Sequence, residues 1–171
     1  MKPSELSLAS GAPERALITS RAETHEAVRI ALGLAERWVR CLHRDLGVFD
    51  LASTAVDEQL SRLLHSHRSA RIQLLVDDAT WLNTRAPRLR ALQRAFSHAL
   101  ELRVASEDDP VGDDALVLID DHTALELKPT AAARGDLWVH NKPRAQPLLA
   151  SFVRRWDAAG HNLAVVPLGL G

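Results

Sequence analysis

The sequence is short of the residues that staple, stack or span. It holds one cysteine, Cys41, so no internal disulfide can form within the chain. The stretch around it, with Val39 and Leu42, is largely apolar, which suits a buried structural thiol. Tyrosine is absent and the aromatic residues are four Trp and three Phe, leaving little from which to build a base-stacking platform. No apolar run approaches the roughly 18 to 20 residues that a bilayer-crossing helix needs, so no membrane association is expected. A basic segment followed by an apolar core is also missing from the first residues, and a cytoplasmic location is the expectation. Charge of one sign does not dominate either. Lys and Arg number 21 against 22 Asp and Glu, a formal net charge of -1, which disfavours a broad electrostatic footprint for nucleic acid.

What is present describes an ordinary globular domain. Of 171 residues, 46% are hydrophobic and 25% charged, enough to bury one core without cross-links. Residues 1–18 read as a loosely ordered tail, because Pro3, Ser4, Ser7, Ser10, Gly11 and Pro13 show no periodicity. Residues 19–171 read as a single domain. Ser20-Arg-Ala-Glu23 is a capping box, and Ala27, Ile30, Ala31 and Leu34 recur at helical spacing behind it. Trp38 to Asp45 alternates as a strand. A second helix is expected over about 54–67, then a buried strand at Ile72–Val76 ending in Asp77 and Asp78. Leu89, Leu92 and Phe96 define a third helix, and Leu100, Leu102 and Val104 a further strand. An acidic loop over 106–114 precedes Leu116-Val-Leu-Ile119, which ends at Asp120 and Asp121. Thr123 to Leu127 makes a hairpin partner, and Leu137–His140 another short strand. Pro147 is placed at the start of the last helix, with Leu148, Leu149, Phe152, Val153 and Trp156 as its apolar face. Strands alternating with helices imply an α/β fold, its sheet mixed and mostly parallel, with helices on both faces.

This element order, together with Ala115-Leu-Val-Leu-Ile-Asp120-Asp121, Ala124-Leu125 and Ser151-Phe152-Val-Arg-Arg-Trp156, resembles one half of the phospholipase D superfamily over about residues 21–160. It is also similar to a degenerate domain family of this type from proteobacteria. The superfamily carries His-x-Lys-x-x-x-x-Asp on the strand that would end at Asp120. Its histidine attacks phosphorus and its lysine stabilises the phosphoryl charge. Counted back from Asp120, the resemblance puts Asp113 at the histidine position and Ala115 at the lysine position. The downstream phosphate-holding Gly-Ser-x-Asn would fall at Leu127, Lys128 and Thr130. The expectation is therefore a non-catalytic phospholipase D-like domain without a cofactor. By analogy it would form a two-fold homodimer, with an unknown protein as further partner.

Other constellations compete with that reading. Asp77, Asp78, Asp120 and Asp121 end two strands, with His122 following. If the strands were parallel neighbours, these residues would converge on a divalent cation for metal-assisted phosphohydrolysis; otherwise they cap turns and helices. Arg85, Arg88, Arg90 and Arg94 crowd the third helix, and Arg68 and Arg71 flank the strand before it. Such a face contacts an anion or nucleic acid, or is merely solvated. His140-Asn-Lys142 is a literal His-x-Lys, but the aspartate position after it is Pro147, and a solvated strand end is expected. His65-x-His67 on a helix is a poor metal pair, because i and i+2 do not share a face. His43 and Asp45 share a strand face and pair as a dyad without a nucleophile. No Gly-rich phosphate loop, nucleophile elbow or zinc pattern occurs.

Overall fold

A computed structural model describes residues 1–129 and 133–160. Its elements are β1 (Glu14–Ile18), α1 (Arg21–Gly33), β2 (Trp38–Leu42), α2 (Thr54–Ser66), β3 (Arg71–Val76), α3 (Thr80–Arg85), α4 (Pro87–Ala95), β4 (Leu100–Val104), β5 (Ala115–Ile119), β6 (Thr123–Leu127), β7 (Gly135–Val139) and α5 (Lys142–Ala159). One seven-stranded sheet runs in the order β1-β7-β6-β5-β2-β3-β4. The fold is α/β with a mixed sheet, as expected. Its balance differs from the expectation of a mostly parallel sheet: only the β2–β3 and β3–β4 pairs are parallel, and the other four are antiparallel.

Helices cover both faces. Under α1, α2, α3 and α4 lies the larger core, which includes Val39, Cys41, Ile72, Leu74, Leu100, Val117 and Ile119. Under α5 lies a smaller one of Leu42, Leu75, Leu116, Leu118, Ala124, Phe152 and Trp156. Strand β5 is buried at every position because both cores rest on it, Leu116 and Leu118 facing α5 and Val117 and Ile119 the other layer. A strand between two cores reads as a continuous apolar run, as Ala-Leu-Val-Leu-Ile does. Cys41 is buried, and burial pushes its thiol pKa up to about 12.

Three local expectations need correction. Residues 14–18 are no tail: they form the edge strand β1, paired antiparallel with β7, with Ala16 and Ile18 facing the core. The third helix is broken in two, since Pro87 forces Ala86 out of helical conformation (φ -123°, ψ 58°). The last helix starts at Lys142, not Pro147. Asn141 caps it by accepting the Arg144 amide at 3.0 Å, Pro143 sits harmlessly in the first turn, and Pro147 deletes one hydrogen bond inside the helix. Phe152 and Trp156 are buried as expected, whereas Val153 is exposed.

Helix α1 carries the Ser20 cap, whose hydroxyl accepts the Glu23 amide at 3.1 Å. The Glu23 carboxylate turns to Thr19, accepting its amide and hydroxyl at 2.7 and 2.8 Å. The C-terminal end of β5 is fastened by Asp120. Its carboxylate accepts the amides of Glu36, Arg37 and Trp38 at 2.9, 3.0 and 2.7 Å, locking the α1–β2 connection onto the central strand. Asp120 also sits at φ 49°, a left-handed conformation that Asp tolerates better than Ala. Asp120→Ala should cost about 2 kcal/mol or more, since charge-assisted bonds to three amides vanish together. Urea denaturation measures this, and Asp120→Asn should recover part of the loss.

Candidate functional site

A cleft of about 760 Å³ opens where β2 ends and β5 begins. Arg21, His43, Arg44, Asp45, Trp81, Asp113, Ala115 and Lys128 are among its lining residues. Asp113 and Ala115, the positions that the resemblance assigns to an imidazole and an ammonium, therefore do face a common cavity. Leu127 and Lys128 line it too, while Thr130 lies outside the described residues. Asp113 is exposed and has no hydrogen bond or ion pair among the described residues. Asp120, seven residues on along the same strand, lies at the other end of the sheet.

His43 lines the cleft together with Asp45, with which the sequence pairs it. It follows β2, and the loop 43–50 wraps around its ring. Nδ1 accepts the amides of Leu46 at 2.9 Å and Asp45 at 3.3 Å, and Phe49 packs edge-on at 5.8 Å between centroids. A neutral ring accepting at Nδ1 carries its proton on Nε2, which leaves no nitrogen lone pair free for attack. Burial pushes the His43 pKa below its ordinary value of 6.5, with the carboxylate of Asp45, 3.2 Å from Nδ1, pulling the other way. Among the described residues the lining of the cleft holds no hydroxyl or thiol.

The acidic strand ends do not meet. Strand β5 runs antiparallel to β2, and β2 parallel to β3, so Asp77 and Asp78 sit at one end of the sheet and Asp120, Asp121 and His122 at the other. This removes the converging cation site. Each aspartate instead has local work. Asp77 accepts the amides of Val111 and Gly112 at 2.8 and 2.9 Å, tying down the acidic loop. Asp78 accepts the Thr80 amide at 2.8 Å at the start of α3, and hydrogen bonds from Thr80 hold its carboxyl below the usual range. No group of three or more His, Cys, Asp or Glu among the described residues is placed to hold a metal ion. His65, rather than joining His67, packs on Phe96 at 5.0 Å.

At that second sheet end, Asp120, Asp121 and His122 share a recess with His140 and Lys142. His140 is half-buried there, not a solvated strand end. Arg85, Arg88 and Arg94 lie exposed on α3 and α4, as a charged face should. Arg88 reaches the Thr54 hydroxyl at 2.7 Å.

A family model described as "Domain of unknown function (DUF7931)" matches residues 20–165. The chain belongs to this family. No curated protein matches it. Among solved structures it is similar to the phospholipase D family member Nuc from Salmonella typhimurium, with a TM-score of 0.63 and 15% identity over 90% of this chain and all of that one. NucT from Helicobacter pylori gives 0.57 and 10% identity over 90% of this chain and the whole of its own. The archaeal chromatin protein TrmBL2 gives 0.63 and 14% identity over 92% of this chain, which spans 56% of TrmBL2. Identities this low speak for the fold alone, and the fold is phospholipase D-like. Among the described residues no helix is long and apolar enough to cross a membrane.

The His43 geometry has a pH signature. Its folded pKa lies below the unfolded value near 6.5, so between the two the unfolded chain holds a proton that the folded one does not. Stability is unaffected above that window and falls as pH drops through 6.5 toward the folded pKa. Urea midpoints at neutral and mildly acidic pH should show a larger loss for the wild type than for His43→Gln.

Proposed function

We propose that this is a non-catalytic domain on a phospholipase D-like fold, which binds a ligand or a protein partner at the cleft beside β5. The observation that carries this reading is the orientation of His43. It is the one imidazole lining that cleft among the described residues, and its Nδ1 is spent on its own loop. The resemblance adds that Asp113 and Ala115 stand where a phosphoryl-transferring relative keeps its nucleophile and its cation. An exposed carboxylate repels a phosphodiester, and a methyl group cannot neutralise one. Arg21, Arg44 and Lys128 beside Asp45 and Asp113 make a cleft of mixed charge, suited to a polar protein segment. A two-fold homodimer with apposed clefts belongs to the same proposal, by fold-level analogy. Purified protein should turn over neither bis-p-nitrophenyl phosphate nor DNA. Turnover that falls at least tenfold in Asp113→Asn or His43→Gln would overturn the reading.

A second reading rests on the arginines. Between Arg62 and Arg94 the sequence holds seven arginines and only two acids, Asp77 and Asp78. None of the seven forms an ion pair among the described residues, and both acids are occupied by backbone amides. Helices α2 and α4 lie side by side, joined by Arg88 on Thr54 and by His65 on Phe96, which gathers part of this charge on one side of the sheet. TrmBL2, of similar fold, is described as binding DNA. The reading requires duplex DNA to bind at low salt, with affinity falling steeply as salt rises. Arg85→Glu, Arg88→Glu and Arg94→Glu together should weaken the complex at least tenfold in fluorescence anisotropy, and an absence of binding at low salt removes this reading.

A further inference from the structure

The recess at the far end of the sheet has a volume of about 690 Å³. It lies where β2 begins and α5 starts, and Arg37, Arg40 and Lys142 line it together with the carboxylates of Glu36, Asp120 and Asp121. Arg40 is the anomaly. It is only 9% exposed, on the α5 side of β2. Its guanidinium lies over the Trp38 ring at 4.0 Å, and Nε donates to Gln73 Oε1 at 3.1 Å. It has no carboxylate within ion-pair distance among the described residues, and its two terminal nitrogens make no hydrogen bond there. Those nitrogens are not sealed in; they open onto the recess. Burial lowers the Arg40 pKa, opposed only by the more distant charge of Asp120.

A buried cation with unused donors costs stability, and a fold gains nothing from it unless something completes the site. Asp120 acts on Arg40 only from beyond ion-pair distance, its oxygens being held by three backbone amides. Lys142 and two imidazoles also line the recess. Lys142 contacts only Asp121, at 3.3 Å, and both side chains are about half exposed. His140 Nε2 is buried without a hydrogen-bond partner. Its ring stacks on His122 at 5.3 Å, and His122 Nδ1 is engaged by the Thr123 hydroxyl at 2.8 Å. Lys142 also opens the 18-residue helix α5, whose positive dipole end faces the same way.

We propose that this recess binds a phosphate monoester of a small organic molecule, with Arg40 and Lys142 contacting the phosphate. Cations from a strand and from a helix suit a tetrahedral oxyanion better than a flat carboxylate, which one guanidinium fork would satisfy. The recess is larger than a bare phosphate needs. The Trp38 ring and Leu149 offer an apolar wall for the organic part. This site is independent of the cleft reading, since β5 runs the length of the sheet between the two.

Titration calorimetry with inorganic phosphate, glycerol 3-phosphate and acetate tests it. Both phosphate probes should give saturable heat at millimolar concentration, glycerol 3-phosphate the tighter, and acetate none. Arg40→Met and Lys142→Gln should each weaken glycerol 3-phosphate at least tenfold, while Lys128→Gln in the cleft leaves it unchanged. Arg40→Met should also raise the urea midpoint, because a methionine removes the desolvated charge that the ligand otherwise offsets. If that variant does not fold, Lys142→Gln decides alone, at an exposed position where folding is not at stake. Absence of saturable heat with either phosphate probe, acetate binding as tightly, or binding indifferent to Arg40 and Lys142 would each overturn the proposal.

Discussion

The carboxylate of Asp120 holds three backbone amides at the point where the central strand β5 ends and β2 begins. Much of the molecule is arranged around that contact. It fixes the α1–β2 connection against the sheet and closes the β5–β6 turn with a left-handed residue. The same three amides hold the carboxylate beyond ion-pair distance of Arg40, whose charge it offsets only from there. In the superfamily that this sequence resembles, the aspartate of the strand motif is counted with the catalytic residues. Here its carboxylate is engaged by the three amides.

The direction of β5 separates the two cavities. Because it runs antiparallel to β2 and β3, its first residue opens on the cleft with His43, and its end opens on the recess with Arg40. Cations and carboxylates line both cavities. In the cleft the imidazole is folded into its own loop, whereas in the recess the terminal nitrogens of Arg40 make no hydrogen bond among the described residues. An unsatisfied donor in a buried place is the rarer condition and the more informative one.

Apolar burial decides the rest. Strand β5 needs two covering layers, so α5 must lie over Leu116 and Leu118 while α1 and α2 cover Val117 and Ile119. Phe152 and Trp156, stacked at 6.0 Å, supply the weight of the α5 contact.

Most helices and strands could be read from local pattern, because periodicity, caps and continuous apolar runs are properties of neighbouring residues. Ser20 with Glu23, the run from Ala115 to Ile119, and the stripe Phe152–Trp156 all belong to this class. Five residues at 14–18 escaped notice: Ala16 and Ile18 alternate with Arg15 and Leu17, too brief and too weakly apolar a signal without the partner strand β7. Alternation along a strand is the same whether its neighbour runs parallel or antiparallel. The chain alone could therefore name Asp77, Asp78, Asp120 and Asp121 as strand ends, but not place them at opposite edges of the sheet. Nor could it show that Arg40 is buried or that His43 points Nδ1 inward, since both depend on what packs over them from distant segments. Most elements and core residues were determined by sequence; strand direction, burial of charge and the meeting of side chains in a cavity were decided by the tertiary structure, because those follow from contacts between residues far apart in the chain.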